Sequence, residues 1–366
     1  MRASLGCMTS PIDAAHLDTP DTATSRAGTG PWRRGGWWSR MAPVLLLLLI
    51  APLVAEFLLG DVTLASLGAM VVFIPLYGAG AVLIREVVRH RGGGWPAIAV
   101  LAAAFGVVEE GLATQSLFNP DYAHQHLLSS GYIPALGIAV PWTIYVLSLH
   151  IIWSICTPIA LVECIFPDRR TKPWLGTPGL IVIAIVYVLG VAATAVTTWA
   201  VFRYMAPPSR LIGAALVAAV LIIVGMLLTK VRRPERSSLQ AARRTPAAWV
   251  VGIAAAVAAS LLVLVPRIPS TVWSTLIFLL VEAAAVIAIT LYSRRPGWGD
   301  RQILALAAGA LLRTPGTPSS PCPRSTQRRS LSSGSATHSS QPWRSQRSGS
   351  QLDASDLSAS QTAIPR

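Results

Sequence analysis

Residues 211–236 read LIGAALVAAVLIIVGMLLTKVRRPER, and this stretch decides the fold class. Residues 211–229 carry no charge and no proline, and Lys230, Arg232, Arg233 and Arg236 follow at once. A helix of this length covers about 28 Å at roughly 1.5 Å per residue, close to the hydrocarbon thickness of a bilayer. Its apolar residues occupy every face rather than one stripe, unlike a helix on the surface of a soluble domain. The basic cluster is the flank expected on the cytoplasmic side of a membrane.

Comparable runs lie near 42–60, 63–84, 95–117, 139–165, 178–201, 247–266 and 271–292, which with 211–229 makes about eight spans. The expected fold class is all-α, a polytopic transmembrane helical bundle. Composition agrees: 53% of the residues are hydrophobic and only 13% charged, with a mean hydropathy of +0.55, outside the range of ordinary soluble domains. The formal charge of +14 would also suit a nucleic-acid binder. The arginines, however, sit in short clusters beside the apolar runs, without aromatics interleaved on one face. The expected partner is the lipid bilayer and not nucleic acid.

From a cytoplasmic N-terminus, alternation places Arg33, Arg34 and Arg40 on the inner side, then Arg85, Arg89 and Arg91, then Arg169, Arg170 and Lys172. Lys230, Arg232, Arg233, Arg236, Arg243 and Arg244 follow, and last Arg294, Arg295 and Arg301. The outer loops receive only Arg203, Arg210 and Arg267. Omitting one span would reverse every later loop, so count and orientation support each other. The expectation is a multi-pass plasma-membrane protein with its N-terminus and the end of its helical region cytoplasmic. The scarcity of lysine and the abundance of Ala, Val, Gly and Pro suggest a bacterial source.

Residues 1–40 read as a disordered cytoplasmic segment, 41–312 as the transmembrane domain and 313–366 as a disordered low-complexity tail. The first apolar run has the basic flank of a signal sequence, but it is long and Glu56 follows without a small-residue cleavage pattern, so it is expected to stay as the first span. Met41, at its head, offers an alternative start. The apolar segment Gln302–Leu312 is too short to cross. The tail beyond it reads either as native disorder or as the product of a frameshift that interrupted a ninth helix. Cys156 and Cys164 share one span about 12 Å apart along its axis and cannot pair, while Cys7 and Cys322 lie in the tails. Without zinc-type spacing, neither a disulfide frame nor a metal or other cofactor is expected. His124 and His126, in the outer loop near 118–138, lack a third ligand close in sequence.

An ionised carboxylate near the bilayer centre costs at least about 2.5–3.5 kcal/mol, so each acid in a span needs a reason. Glu86 and Glu163 lie near the inner boundary within reach of Arg85, Arg89 or Arg169, and Glu56 lies close to water at the outer one. Glu282 is deeper and reads equally as a helix-packing contact or a functional group. Glu109 and Glu110 stand side by side roughly 12 Å below the outer end of their span, taken at Phe118. Successive helical residues diverge by about 100°, so the two are not expected to face one partner. Glu110 shares a stripe with Gly106 and Thr114, small and polar groups that admit another helix. His150 in the next span lies at a similar depth, some 15 Å from the outer side, and Thr143, Ser154 and Thr157 lie near its face. Glu109, Glu110 and His150 are therefore the candidate catalytic or binding residues. Two close carboxylates can divide the roles of acid and base, and interhelical hydrogen bonding is the structural alternative.

The phrases Ile84-Arg85-Glu86, Glu109-Glu110-Gly111-Leu112 and Ser116-Leu117-Phe118-Asn119-Pro120 resemble those of uncharacterised bacterial multi-pass membrane proteins. So does the run from His150 through Ser154, Pro158-Ile159 and Glu163 to Phe166-Pro167. This resemblance covers about residues 80–175 and implies a membrane protein without supplying an activity. Glu109-Glu110 and His150 are also similar to the EExxxR and FxxxH motifs of the CPBP (Abi) intramembrane proteases. Thr114 stands where that arginine belongs, Val146 where the phenylalanine belongs, and no later span contains a histidine. The similarity implies peptide hydrolysis, with one glutamate activating water and His150 stabilising the oxyanion. The rival expectation is a proton- or cation-coupled transporter using the same residues. Phosphate-loop, dinucleotide-binding and GxSxG motifs are missing from the sequence.

Overall fold

A computed structural model of the chain describes residues 37–60, 64–231, 245–268 and 270–312. Both expected tails and the basic cluster at 232–244 lie outside the described residues, apart from the short stretch 37–40 that opens the first helix. Among the described residues nine helices follow in order: α1 (Met41–Leu58), α2 (Ala65–His90), α3 (Trp95–Ala113), α4 (Val140–Ile165), α5 (Thr177–Phe202), α6 (Pro208–Leu228), α7 (Ala248–Leu264), α8 (Thr271–Ser293) and α9 (Asp300–Leu311). A two-residue antiparallel ladder pairs β1 (Tyr132–Ile133) with β2 (Ile138–Ala139) in the α3–α4 loop. The chain is thus an all-α, multi-pass membrane protein.

Seven of these helices are long and apolar enough to cross a membrane. The other two are α7, with 17 residues, and α9, with 12. At about 1.5 Å per residue α7 covers roughly 26 Å, short of a typical core, and a 3-10 turn at Val265–Arg267 continues it. Burial separates the centre from the rim. The most apolar stretches of α3 and α4 are 67% and 56% buried, whereas those of α5, α6 and α8 are 17%, 17% and 11% buried. The rim helices present Ile181, Val188, Leu216, Ile223, Leu280 and Val286 outward, a surface suited to lipid and far too apolar for water.

Four spans are not uniformly α-helical. They open into π-helical turns at Leu53–Leu58 in α1, Ile74–Gly78 in α2, Val108–Ala113 in α3 and His150–Cys156 in α4. Proline accounts for three of them, since it lacks an N–H and its ring clashes with the carbonyl four residues back. Pro52 precedes the first, Pro75 lies in the second, and Pro158 sits four residues beyond Ser154 of the fourth.

The end of α2 is tied to α4 by a buried ionic network. Arg89 grips Glu163 in a fork, Nη2 to Oε2 at 2.7 Å and Nε to Oε1 at 2.9 Å, and Arg85 Nε reaches the same Oε1 at 3.1 Å. Arg85 also bonds Glu86, stacks 3.5 Å above the Trp174 ring and donates to the carbonyls of Arg169 and Arg170. Glu86 Oε2 in turn accepts the backbone N–H groups of Trp174 and Leu175, each at 2.9 Å. Arg85 and Arg89 thus supply the expected charges for Glu86 and Glu163, while the Arg169 carbonyl accepts from Arg85.

The short α9 is not a crossing helix. Its Gly309 meets the Gly252 carbonyl and would place an added Cβ 2.7 Å from that of Ala255, so α9 and α7 approach backbone to backbone. Trp153 of α4 donates its indole N–H to the Ala310 carbonyl at 2.9 Å.

Two substitutions test this frame. Glu163→Gln removes the charge between two buried arginines and is expected to lower unfolding stability by about 3–5 kcal/mol, measured by thermal unfolding in detergent. Gly309→Ala should cost about 1–3 kcal/mol by overpacking, whereas Gly299→Ala, which faces open space, should change the midpoint little.

Candidate functional site

The four π-helical turns converge on one cluster. Tyr77 comes from α2, Glu109 and Glu110 from α3, and His150 and Ser154 from α4, each within or at the start of such a turn. π-Bulges collect at functional sites because they redirect side chains that an α-helix would place elsewhere. Glu109, Glu110 and His150 are 2%, 8% and 5% exposed, which puts three ionisable groups in the buried interior.

His150 lies between the two carboxylates. Its Nε2 is 2.8 Å from Glu110 Oε1, and its Nδ1 is 3.3 Å from Glu109 Oε2 and 3.1 Å from Ser154 Oγ. The expectation that neighbouring glutamates cannot face one partner is therefore overturned. The i→i+5 winding narrows the angle between successive residues, and an imidazole offers a nitrogen on each side. Gly106 makes the approach possible, since an added Cβ there would lie 3.2 Å from His150 Cβ and 3.0 Å from Leu147 Cδ2.

The two acids are held differently. Glu110 is saturated: Oε2 accepts the hydroxyls of Ser116 and of Thr114, the latter at 3.0 Å, and Oε1 faces His150. Trp142 donates its indole N–H to Ser116 Oγ at 3.3 Å. Glu109 Oε1 accepts the Tyr77 hydroxyl, while its Oε2 is buried without a hydrogen-bond partner. Tyr77 stacks on the His150 ring, with centroids 6.2 Å apart and planes 16° from parallel, and Phe105 closes another side edge-on at 5.8 Å. Glu56, half-buried in the π-turn of α1, interacts with Tyr77 and electrostatically with Glu109 and His150. Expected only to reach water at a boundary, Glu56 thus also joins the cluster.

The span bearing the glutamates also ends earlier than Phe118. Helix α3 stops at Ala113, Gln115 adopts a positive φ of 57°, and residues 115–119 fold back as a buried turn. Polar side chains satisfy the freed backbone there. Gln115 Oε1 accepts the Ala206 N–H at 2.7 Å, and the Phe118 carbonyl accepts the Tyr204 hydroxyl at 2.8 Å. That turn carries Ser116 into the site.

Other candidates stay apart. Thr143 bonds the Ala139 carbonyl at its own helix start, and Glu282 of α8 accepts the Ser148 hydroxyl at 2.7 Å. In the exposed loop, His124 and His126 flank Asp121 at 3.0 and 3.6 Å. Cys156 and Cys164 are free thiols. Sequence reasoning missed Tyr77, Ser116 and Trp142. The available signals were a hydroxyl two residues after a proline inside an apolar run, and polar residues directly after a helix end.

Two cavities lie against the α3–α4 loop. One, of about 380 Å³, is lined by Trp142, Tyr145, Thr271 and Phe278, and the other, of about 760 Å³, by Phe118, Tyr132, Tyr204 and Arg210. Neither is lined by Glu109, Glu110 or His150; Trp142, which lines the first, donates to Ser116 of the site. One donor atom from each of these three residues lies within 4.8 Å of the others, a clustering compatible with a metal ion that the sequence spacing did not reveal.

An uncharacterized membrane protein family matches residues 45–306 of the chain. No curated protein and no solved structure is a significant match. With every residue of the Glu/His cluster inside the matched region, the chain belongs to this uncharacterized membrane protein family.

Proposed function

We propose that the chain handles cations in the membrane, as a proton- or cation-coupled transporter with Glu109, Glu110 and His150 at its binding centre. The observation that carries this reading is the excess of acid in the core. Among the described residues, Glu109 and Glu110 pair with His150 and with no lysine or arginine. Two buried carboxylates, Glu109 and Glu110, against one protonated imidazole would leave a formal charge of −1, which a low-dielectric interior holds only with an added cation. The inner network of Arg85, Arg89, Glu86 and Glu163 is arranged oppositely, with two arginines matched to two acids.

A hydrolase is the second reading. The buried Glu109 Oε2 without a hydrogen-bond partner is the observation in its favour, since a general base must offer an open oxygen to water. In that reading His150 steadies the oxyanion.

The proposed orientation puts the N-terminus and the end of the helical region on the cytoplasmic face of a plasma membrane. Its support is that Arg85, Arg89, Arg169 and Arg170 meet at one end of the bundle, where Arg170 also pairs with Asp300 at the start of α9. Arg203, directly after α5, and Arg210, in the first turn of α6, lie at the opposite end.

Flux into proteoliposomes loaded with pH- and metal-sensitive dyes tests the cation reading. Wild type should exceed empty vesicles, and Glu109→Gln and Glu110→Gln should each lose most of that flux at equal reconstitution. Wild-type flux no greater than that of empty vesicles, or flux retained by the double variant, refutes it. Loss of cleavage of a co-expressed membrane substrate in the same variants would favour the hydrolase instead. For orientation, single cysteines in a cysteine-free background should react with an impermeant reagent from outside at position 126 and not at 172; the reverse pattern inverts the topology.

A further inference from the structure

We propose that the cluster takes a divalent transition-metal ion of the zinc class, with Glu109 Oε2 and His150 Nδ1 as its protein ligands and Glu110 as the residue that orients His150. This deepens the cation reading by naming the class of cation, and it rests on that reading for the ion being cargo. The first support is distance. Two ligands of a tetrahedral zinc ion, each about 2.0–2.1 Å from the metal, are separated by roughly 3.3 Å, and Glu109 Oε2 lies 3.3 Å from His150 Nδ1. The pair already forms one edge of the polyhedron. The second support is the carboxylate oxygen itself, buried and lacking a hydrogen-bond partner.

The surroundings match a metal-bound histidine. Such a ligand almost always donates its other ring N–H to a carboxylate or carbonyl, which fixes the tautomer and ring plane. His150 Nε2 is 2.8 Å from Glu110 Oε1, and Glu110 is itself immobilised by Ser116 and Thr114. Tyr77 anchors the remaining oxygen of Glu109 and lies flat against the imidazole. Ser154 Oγ, 3.1 Å from the same Nδ1, is an oxygen donor for a further position, with water for the rest. An imidazole nitrogen selects transition metals over magnesium and calcium, which prefer six or more oxygens. Two strong protein ligands hold an ion less firmly than the three or four of resident zinc sites, a property suited to an ion in transit.

The test uses the full chain, purified in detergent, freed of metal with a chelator and titrated with Co²⁺ as a visible probe and Zn²⁺ as competitor. One Co²⁺ per chain should bind with the ligand-field bands of a low-coordinate site and be displaced by Zn²⁺. His150→Ala and Glu109→Gln should abolish the bands, and Glu110→Gln should weaken binding by about 10–100-fold. The double variant His124→Ala/His126→Ala, outside the cluster, should bind as wild type does. X-ray absorption of the zinc-loaded wild type should show one imidazole per ion, a measurement that requires no variant to fold. Absence of stoichiometric binding, binding unchanged in His150→Ala, or a zinc shell without imidazole overturns the proposal. If metal fails to bind while the glutamine variants still abolish flux, the metal is wrong and the cation reading stands. Metal binding without flux keeps the site and removes the transport role.

Discussion

A charge cannot be left unpaired among apolar helices, and the chain meets that constraint in opposite ways at two levels of the bundle. At one end, Arg85 and Arg89 neutralise Glu86 and Glu163, and every remaining polar atom of Arg85 finds a carbonyl, a carboxylate or the Trp174 ring. The result locks α2, α4 and the loop after α4 together. At the second level, Glu109 and Glu110 share a single histidine. The first arrangement is closed and structural. The second is electrically incomplete, and that incompleteness is what makes it a candidate for work rather than for support.

The same asymmetry appears in the division between core and rim. Helices α3 and α4 are buried over most of their apolar length and carry the central residues, while α5, α6 and α8 turn aliphatic side chains outward and carry none. The rim contributes through small residues and linkers instead. Ala214 of α6 sits where a Cβ added to Gly111 would lie at 2.9 Å, and Tyr204 and Ala206 pin the turn that delivers Ser116. Lipid-facing helices therefore set the position of the site without entering it.

The spans were legible because an apolar run of about twenty residues leaves few alternatives, and the placement of Glu109, Glu110 and His150 followed from comparing depths on adjacent antiparallel helices. What escaped notice depended on departures from ideal geometry. Depth along a straight helix gave no sign that α3 would stop at Ala113 and fold Ser116 back onto Glu110, because Thr114-Gln115-Ser116 differs from helix by only a few polar atoms. Tyr77 carried no mark to separate it from the apolar residues around it, and Glu56 read as a residue within reach of water. Both enter the cluster because prolines open the helices that carry them. The positive charges were informative about topology yet silent on pairing: Arg169 supports the inner network through its carbonyl, which no charge count reveals.

The proline-linked π-turns carry a further meaning for how such a site can arise and change. A π-turn holds one residue more than the α-turn it replaces, so α1, α2, α3 and α4 each consist of two helical stretches whose faces are out of phase across the turn. Residues on the inner side keep the packing phase of the Arg–Glu network, and residues on the outer side are free to follow another. In lineage terms, insertion or loss of a single residue at one of these turns would rotate the outer half of a helix by about 100° while leaving the inner half in place. The scaffold and the chemistry of this protein are thereby separable by sequence changes one residue long.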